Sequence, residues 1–251
     1  MVSDPVFYLA AVPAVIIGGL SKGGFVGLGG IAQPLMALTV PSFQAAAILL
    51  PILVMQDWVG VIAYRRFYDG RTLAIMLPGA VLGTVLGTLA ATVVSDAYVR
   101  LAVGLISIVF SANWWLGLSK EAAKAKPGGV LSGLFWGAVA GLTSFVSHAG
   151  GPPFQVYVLP LKLQRDILVG TTTWFFASMN LIKVIPYFWL GQFTRENLLT
   201  SAALLPLAVV ATMAGVWLVR RIRTEGFYKV IYALLFLVGV KLLYDGIVGL
   251  L

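Results

Sequence analysis

Few side chains in this sequence can do chemistry, and most of them gather in two short stretches. Gly18 to Gly30, GGLSKGGFVGLGG, sets one lysine, Lys22, among seven glycines inside an apolar segment. Half a chain later Gly141 to Pro153, GLTSFVSHAGGPP, places Ser147 and the only histidine, His148, beside the pair Gly150 and Gly151. Glycine permits unusual dihedrals and close backbone approach, and where a helix restarts, its free N–H groups and positive dipole end favour an anion. The candidate anion-binding set is therefore Lys22, the backbone around Gly23, Gly24, Gly29, Gly30, Gly150 and Gly151, and the side chains of Gln33, His148, Gln155 and Asn180. Asp57 has the opposite sign and is expected to orient Lys22 or to carry a coupling proton; His148 can likewise donate to an anion or carry a proton. Of the other lysines within apolar runs, Lys241 is expected to snorkel to an interface, while Lys183 is open between snorkelling and facing a cavity. Some of the run Thr171, Thr172 and Thr173 should simply bond back to its own helix.

The surroundings of these residues define the class. Of 251 residues, 60% are hydrophobic and only 10% charged, in long continuous runs. That is the composition of an all-α polytopic membrane protein, since a transmembrane β-barrel needs short segments of alternating polarity. With no cysteine and a single histidine, neither a disulfide frame nor a cysteine- or histidine-rich metal site can be built, and no cofactor is implied. The opening MVSDP lacks a basic n-region, so the first apolar run is expected to stay as a helix. The net charge of +8 sits in short loops, which points to membrane orientation and not to nucleic acid.

Apolar segments of spanning length fall at roughly 43–64, 73–94, 98–118, 168–190, 198–219 and 228–250. Two longer stretches, roughly 5–41 and 128–162, are interrupted by the glycine motifs and read as two arms meeting at a break. The polar segment 119–127 then divides the chain into a first transmembrane repeat, 1–118, a cytoplasmic linker, and a second repeat, 128–251. Spacings recur in both halves: Asp57 precedes Tyr64 by seven residues as Asn180 precedes Tyr187, and Pro78, Thr84 and Gly87 match Pro206, Thr212 and Gly215. If each broken stretch goes in and comes back, one side collects twelve basic residues (Arg65, Arg66, Arg71, Lys120, Lys124, Lys126, Lys162, Arg165, Arg220, Arg221, Arg223 and Lys229) and the other only two, Arg100 and Arg195. That bias satisfies the positive-inside rule and makes the halves inverted repeats, as in many secondary transporters. Each repeat is then a broken or hairpin helix pair plus three spanning helices, about 8–10 segments in all, with both termini outside; the lean is to two fairly complete arms per break.

The sequence resembles the sulfite exporter TauE/SafE family. The residues that carry the likeness are GGLSKGGFVGLGG at 18–30 followed by Gln33 and Pro34, and AGLTSFVSHAGGPPFQVY at 140–157 followed by the threonine-bearing helix at 168–190. The resemblance implies a transporter and not an enzyme, one that carries sulfite, an organosulfonate or a similar small anion across the bacterial inner membrane, usually as export. The reading of the residues adds the lipid bilayer as partner, a site at the repeat interface worked by alternating access, and proton coupling through Asp57 or His148. Two alternatives stand beside it: a membrane scaffold that transports nothing, and an intramembrane hydrolase using Ser147, His148 and Asp57.

Overall fold

In the computed structural model, residues 1–23, 29–117, 127–218 and 225–250 are described, with the side chains of 165, 225–231 and 234 left aside. Gly24 and nearly all of the expected 119–127 linker lie outside the described residues. The first half runs α1 (Pro5–Lys22), a 3-10 turn (Gly29–Ile31), α2 (Ala32–Met36), α3 (Ser42–Tyr64), α4 (Gly70–Ala91) and α5 (Asp96–Trp115). The second half repeats the order: α6 (Val130–Ser147), α7 (Gly151–Val158) with a 3-10 turn (Leu159–Leu161), α8 (Arg165–Trp189), α9 (Arg195–Leu218) and α10 (Glu225–Val248). No strand occurs among the described residues.

Local sequence explains the element ends. Asp4 caps α1 by accepting from the Val6 N–H at 2.9 Å with Pro5 in the first turn, and Asp69 caps α4 through Thr72 N–H at 2.9 Å; both leave a helix start with its orphan donors satisfied. Seven helices (α1, α3, α4, α5, α6, α8 and α9) are long and apolar enough to cross a membrane, and α10, at 24 residues, has the length. They expose large apolar side chains outward, such as Leu9 at 77%, Leu131 at 83% and Trp189 at 78%, a surface suited to hydrocarbon and not to water.

The inner arms differ from the expectation of fairly complete crossings. α2 has five residues and α7 eight, about 7.5 and 12 Å of helix against a hydrocarbon core of about 30 Å. Among the described residues, each break therefore pairs one spanning helix with a short inner arm flanked by a 3-10 turn, Gly29–Ile31 or Leu159–Leu161. Arg100 on α5 stabilises the first arm, donating 2.8 Å to the Ala37 carbonyl just past α2 while its Nε meets Asp96 at 2.6 Å.

Packing is set by small residues. α1 lies on α9, α4 on α6, α5 on α10, and α3 on both α8 and α9. A Cβ built at Gly19 would stand 2.6 Å from the Ala211 Cβ, and one at Gly23 2.5 Å from the Gly215 backbone. On the other side, a Cβ at Gly79 or Gly83 would collide with the backbone of Leu134 or Ala138, and one at Gly137 or Gly141 with that of Met76 or Ala80. Both seams hold backbone against backbone, as small residues allow in membrane helices.

Candidate functional site: a charged cavity between the two breaks

The two breaks meet around a cavity of about 80 Å³. Its wall takes Ser21, Lys22, Gly29 and Gly30 from the first break, Ser144, His148, Gly151 and Gln155 from the second, and Thr172, Thr173, Phe176 and Asn180 from α8. Lys22 is in the last turn of α1, held there because Gly23 ends the helix with its N–H bonded to the Gly19 carbonyl at 2.9 Å.

Lys22 faces the cavity, and it is also paired. Its Nζ is 2.5 Å from Asp57 Oδ1, and 5.3 Å from the centre of the Phe176 ring. Asn180 Nδ2 donates to the other oxygen, Asp57 Oδ2, at 2.5 Å. Asp57 and Asn180, the two residues at matched positions of the two halves, thus touch each other where α3 meets α8. Their matched tyrosines also act alike: Tyr64 donates to the Gly23 carbonyl at 3.4 Å, and Tyr187 to the Phe145 carbonyl at 2.9 Å. Each ties a long helix to the last turn of the broken one.

His148 ends α6 in a left-handed conformation, φ 50°, which turns its ring back into the protein. Nε2 lies 3.1 Å from the Ala46 carbonyl, which can only accept, so this nitrogen carries a hydrogen. Nδ1 lies 2.7 Å from Lys183 Nζ, and Nζ also donates to the Ser144 carbonyl at 3.1 Å and the Ser144 hydroxyl at 3.0 Å. Lys183 is fully buried; the choice left open by sequence falls to the inside. Lys241 is exposed beside Asp245 and Tyr244, at the surface as expected.

The remaining candidates divide. Gly29, Gly30, Gly151, Gln155 and Asn180 line the cavity with Lys22 and His148. Gly23 and Gly150 are packing positions, the first on Gly215 and the second against the Ala140 carbonyl, Ser144 and Phe176. Gln33 is buried away from the cavity wall, donating to the Ser42 carbonyl at 3.1 Å. The N–H cluster expected where the second helix restarts is thin, because Pro152 and Pro153 occupy its first turn and have no N–H. Ser21 and Gln155 also stand on the cavity wall. Thr172 and Thr173 spend their hydroxyl hydrogens on the Leu168 and Val169 carbonyls, at 2.7 and 2.9 Å, leaving only oxygen lone pairs.

Sequence reasoning left Ser144 out of the set. Its signal was the four-residue spacing to His148, which puts both on one face of α6. The Ser147, His148 and Asp57 arrangement does not form a hydrolytic triad: Ser147 donates to the Thr143 carbonyl at 3.0 Å, and both His148 nitrogens are engaged elsewhere. Among the described residues no cluster of His, Cys, Asp or Glu is suited to a metal.

Apolar helices, two of them interrupted, thus surround a cavity with Lys22 in its wall. Residues 11–242 match the family model described as sulfite exporter TauE/SafE. The chain belongs to the sulfite exporter TauE/SafE family. No curated protein and no solved structure matches it significantly. As a member of that family it is a multi-pass membrane transporter of the sulfite-exporter type, and the seven apolar helices of spanning length among the described residues fit that assignment.

Proposed function

We propose that the chain exports a small anion, sulfite or an organosulfonate, across the bacterial inner membrane by alternating access, binding it in the central cavity at the interface of two inverted repeats. The observation that carries the reading is Lys22 on the wall of a cavity of about 80 Å³ enclosed by apolar helices. A water needs about 10–15 Å³ on this measure, so the space suits an anion of a few heavy atoms and is too small for a bulky one. Lys22, Ser21 and Gln155 supply donors, with backbone at Gly29, Gly30 and Gly151 and the amide of Asn180 around them. Charge-assisted contacts of this kind are the strong ones, and an intramembrane ionisable residue facing a cavity marks a transport path.

The repeats 1–118 and 128–251 are supported by the packing. Exchanging each helix for its counterpart turns α1 on α9 into α6 on α4, and maps α3 on α8 and α5 on α10 onto themselves; all of these contacts occur. Contact between the matched residues Asp57 and Asn180 is what a two-fold axis passing between α3 and α8 would give. The twelve-to-two division of basic residues supports an axis in the membrane plane, with both termini periplasmic and the 119–127 linker cytoplasmic.

Reconstitution in liposomes tests the function. Sulfite, methanesulfonate, thiosulfate and chloride are offered in turn as labelled or electrode-detected anions. Saturable flux of a sulfur oxyanion, lowered in a Lys22→Ala protein that still folds, is the expected result. Vesicles that pass none of the four would leave a scaffold and overturn the proposal.

A further inference from the structure

Behind Ser144 and His148 of the cavity wall lies a second lysine that the anion reading does not use. Lys183 Nζ is fully buried, and its three neighbours are the Ser144 carbonyl, the Ser144 hydroxyl and His148 Nδ1, all of them neutral acceptors. The charged groups around this cluster are few: Lys22 from α1 and Asp57 from α3, which are paired with each other at 2.5 Å. Tyr187 on α8 stacks on the His148 ring at 6.4 Å between centroids and donates its hydroxyl hydrogen to the Phe145 carbonyl. Among the described residues, a charge on Lys183 therefore has no countercharge of its own.

We infer that the Lys183–Ser144–His148 cluster is a proton-binding site that fills together with the anion, so that one proton crosses with each singly charged anion. The inference rests on the transporter reading above, and deepens it by naming what balances the charge.

Hydrogen-bond counting carries the argument. His148 Nε2 must donate to the Ala46 carbonyl, so in a neutral ring Nδ1 offers a lone pair to Nζ. With the proton on, Nζ has three hydrogens for three acceptors. With the proton off, Nζ keeps two, for His148 Nδ1 and the Ser144 carbonyl, and its lone pair accepts from the Ser144 hydroxyl, which rotates from acceptor to donor. Nζ is fully hydrogen-bonded in both forms, so net charge is what separates them. An unmatched buried charge costs more than a matched one, which makes the arriving anion the partner that favours the protonated form. Ser144 and His148 both line the cavity, so the proton has a way in: the Ser144 hydroxyl gives its hydrogen to Nζ and takes one from a cavity water. Atoms balance, with one proton gained by the cluster and one lost by the water chain.

The test uses the purified full chain and methanesulfonate, whose single charge does not change with pH. Calorimetric titration in two buffers of different protonation heat should show about one proton taken up per anion, and affinity should weaken as pH rises, by at most about tenfold per unit. Lys183→Arg, whose guanidinium stays charged, should bind with no proton uptake and a flat pH profile, and its flux should respond to membrane voltage where the wild type's does not. Should Lys183→Arg fail to fold, Lys183→Met serves: it has similar length and holds no proton, and should likewise bind without proton uptake and with a flat pH profile. Methanesulfonate binding to the wild type without proton uptake, or uptake unchanged in both variants, would overturn the inference and leave the carrier standing. If no anion of the panel binds or crosses, the carrier reading falls and this inference with it.

Discussion

Replacing Lys22 by alanine separates what this residue does for the fold from what it does for the anion. The Asp57 side chain is 3% exposed and that of Lys22 15%, so the pair is largely shielded from water and the usual discount for surface ion pairs does not apply. Removing one partner of such a pair leaves an uncompensated charge and costs about 3–5 kcal/mol. Asn180 continues to donate to Asp57 Oδ2, which places the expected loss towards the lower end, about 3 kcal/mol. In Lys22→Ala with Asp57→Ala no charge is stranded, and much of that loss should return. The anion sees a different balance. Losing a charge-assisted contact costs about 1.5–3 kcal/mol, about 10- to 150-fold in affinity, in the single and the double variant alike. Thermal unfolding in detergent and anion binding, measured on Lys22→Ala, Asp57→Ala and the double variant, give the two readings independently. An unchanged unfolding temperature in Lys22→Ala would refute the ion-pair argument, and unchanged anion affinity in the same folded protein would remove Lys22 from the site.

Asn180→Leu keeps the volume and deletes the donor to Asp57 Oδ2, and should destabilise by about 1–3 kcal/mol; a chemical melt indistinguishable from wild type would show that this contact does not form. Gly19→Leu should cost about 3 kcal/mol or more, since even its Cβ would stand 2.6 Å from that of Ala211 and neither backbone can yield. Gly129→Ala, with nothing within 4 Å of the added carbon, should stay within about 0.5 kcal/mol of wild type, and equal melts for these two glycine variants would refute the seam. Because the sequence has no cysteine, single cysteines introduced at each end and in the 119–127 segment can be labelled from outside the cell: both ends should react and the linker should not. A C-terminus that reacts only after lysis would contradict the inverted repeats.

Hydropathy located the spans closely, because a helix that faces lipid must be apolar along its whole length: 43–64 was expected and Ser42–Tyr64 is found, 198–219 expected and Arg195–Leu218 found. It could not reveal that the inner arms are short, since the turns around α2 and α7 are as apolar as the helices themselves. The Lys22 and Asp57 pairing was legible because both are charges in apolar runs and each needs a partner. Lys183 was not, because its partners are a carbonyl, a hydroxyl and an imidazole, none of which announces a lysine. The glycines of the breaks look alike in sequence and differ in role, Gly23 against Gly215 and Gly29 on the cavity wall. Their role depends on a helix nearly two hundred residues away.

That distance bears on how a change of access can proceed. The two glycine seams, α1 on α9 and α4 on α6, each join a helix of the first half to one of the second. With backbones in direct contact there are no flexible side chains to re-form after a slide, and displacement along the seam drives glycine-sized gaps onto larger residues, which close packing resists. The contact of α3 with α8 is of another kind at the site: Lys22, Asp57 and Asn180 meet there through hydrogen bonds and charge, which can be exchanged for bonds to water or to an anion. For the alternating access proposed above, this packing favours rigid units drawn from both halves, α1 with α9 and α4 with α6, with the polar interface between α3 and α8 as the one to open and close. Asp57 and Asn180 stand where the moving units meet, so the group that holds the closed interface together is also the group that the anion's partner, Lys22, must leave.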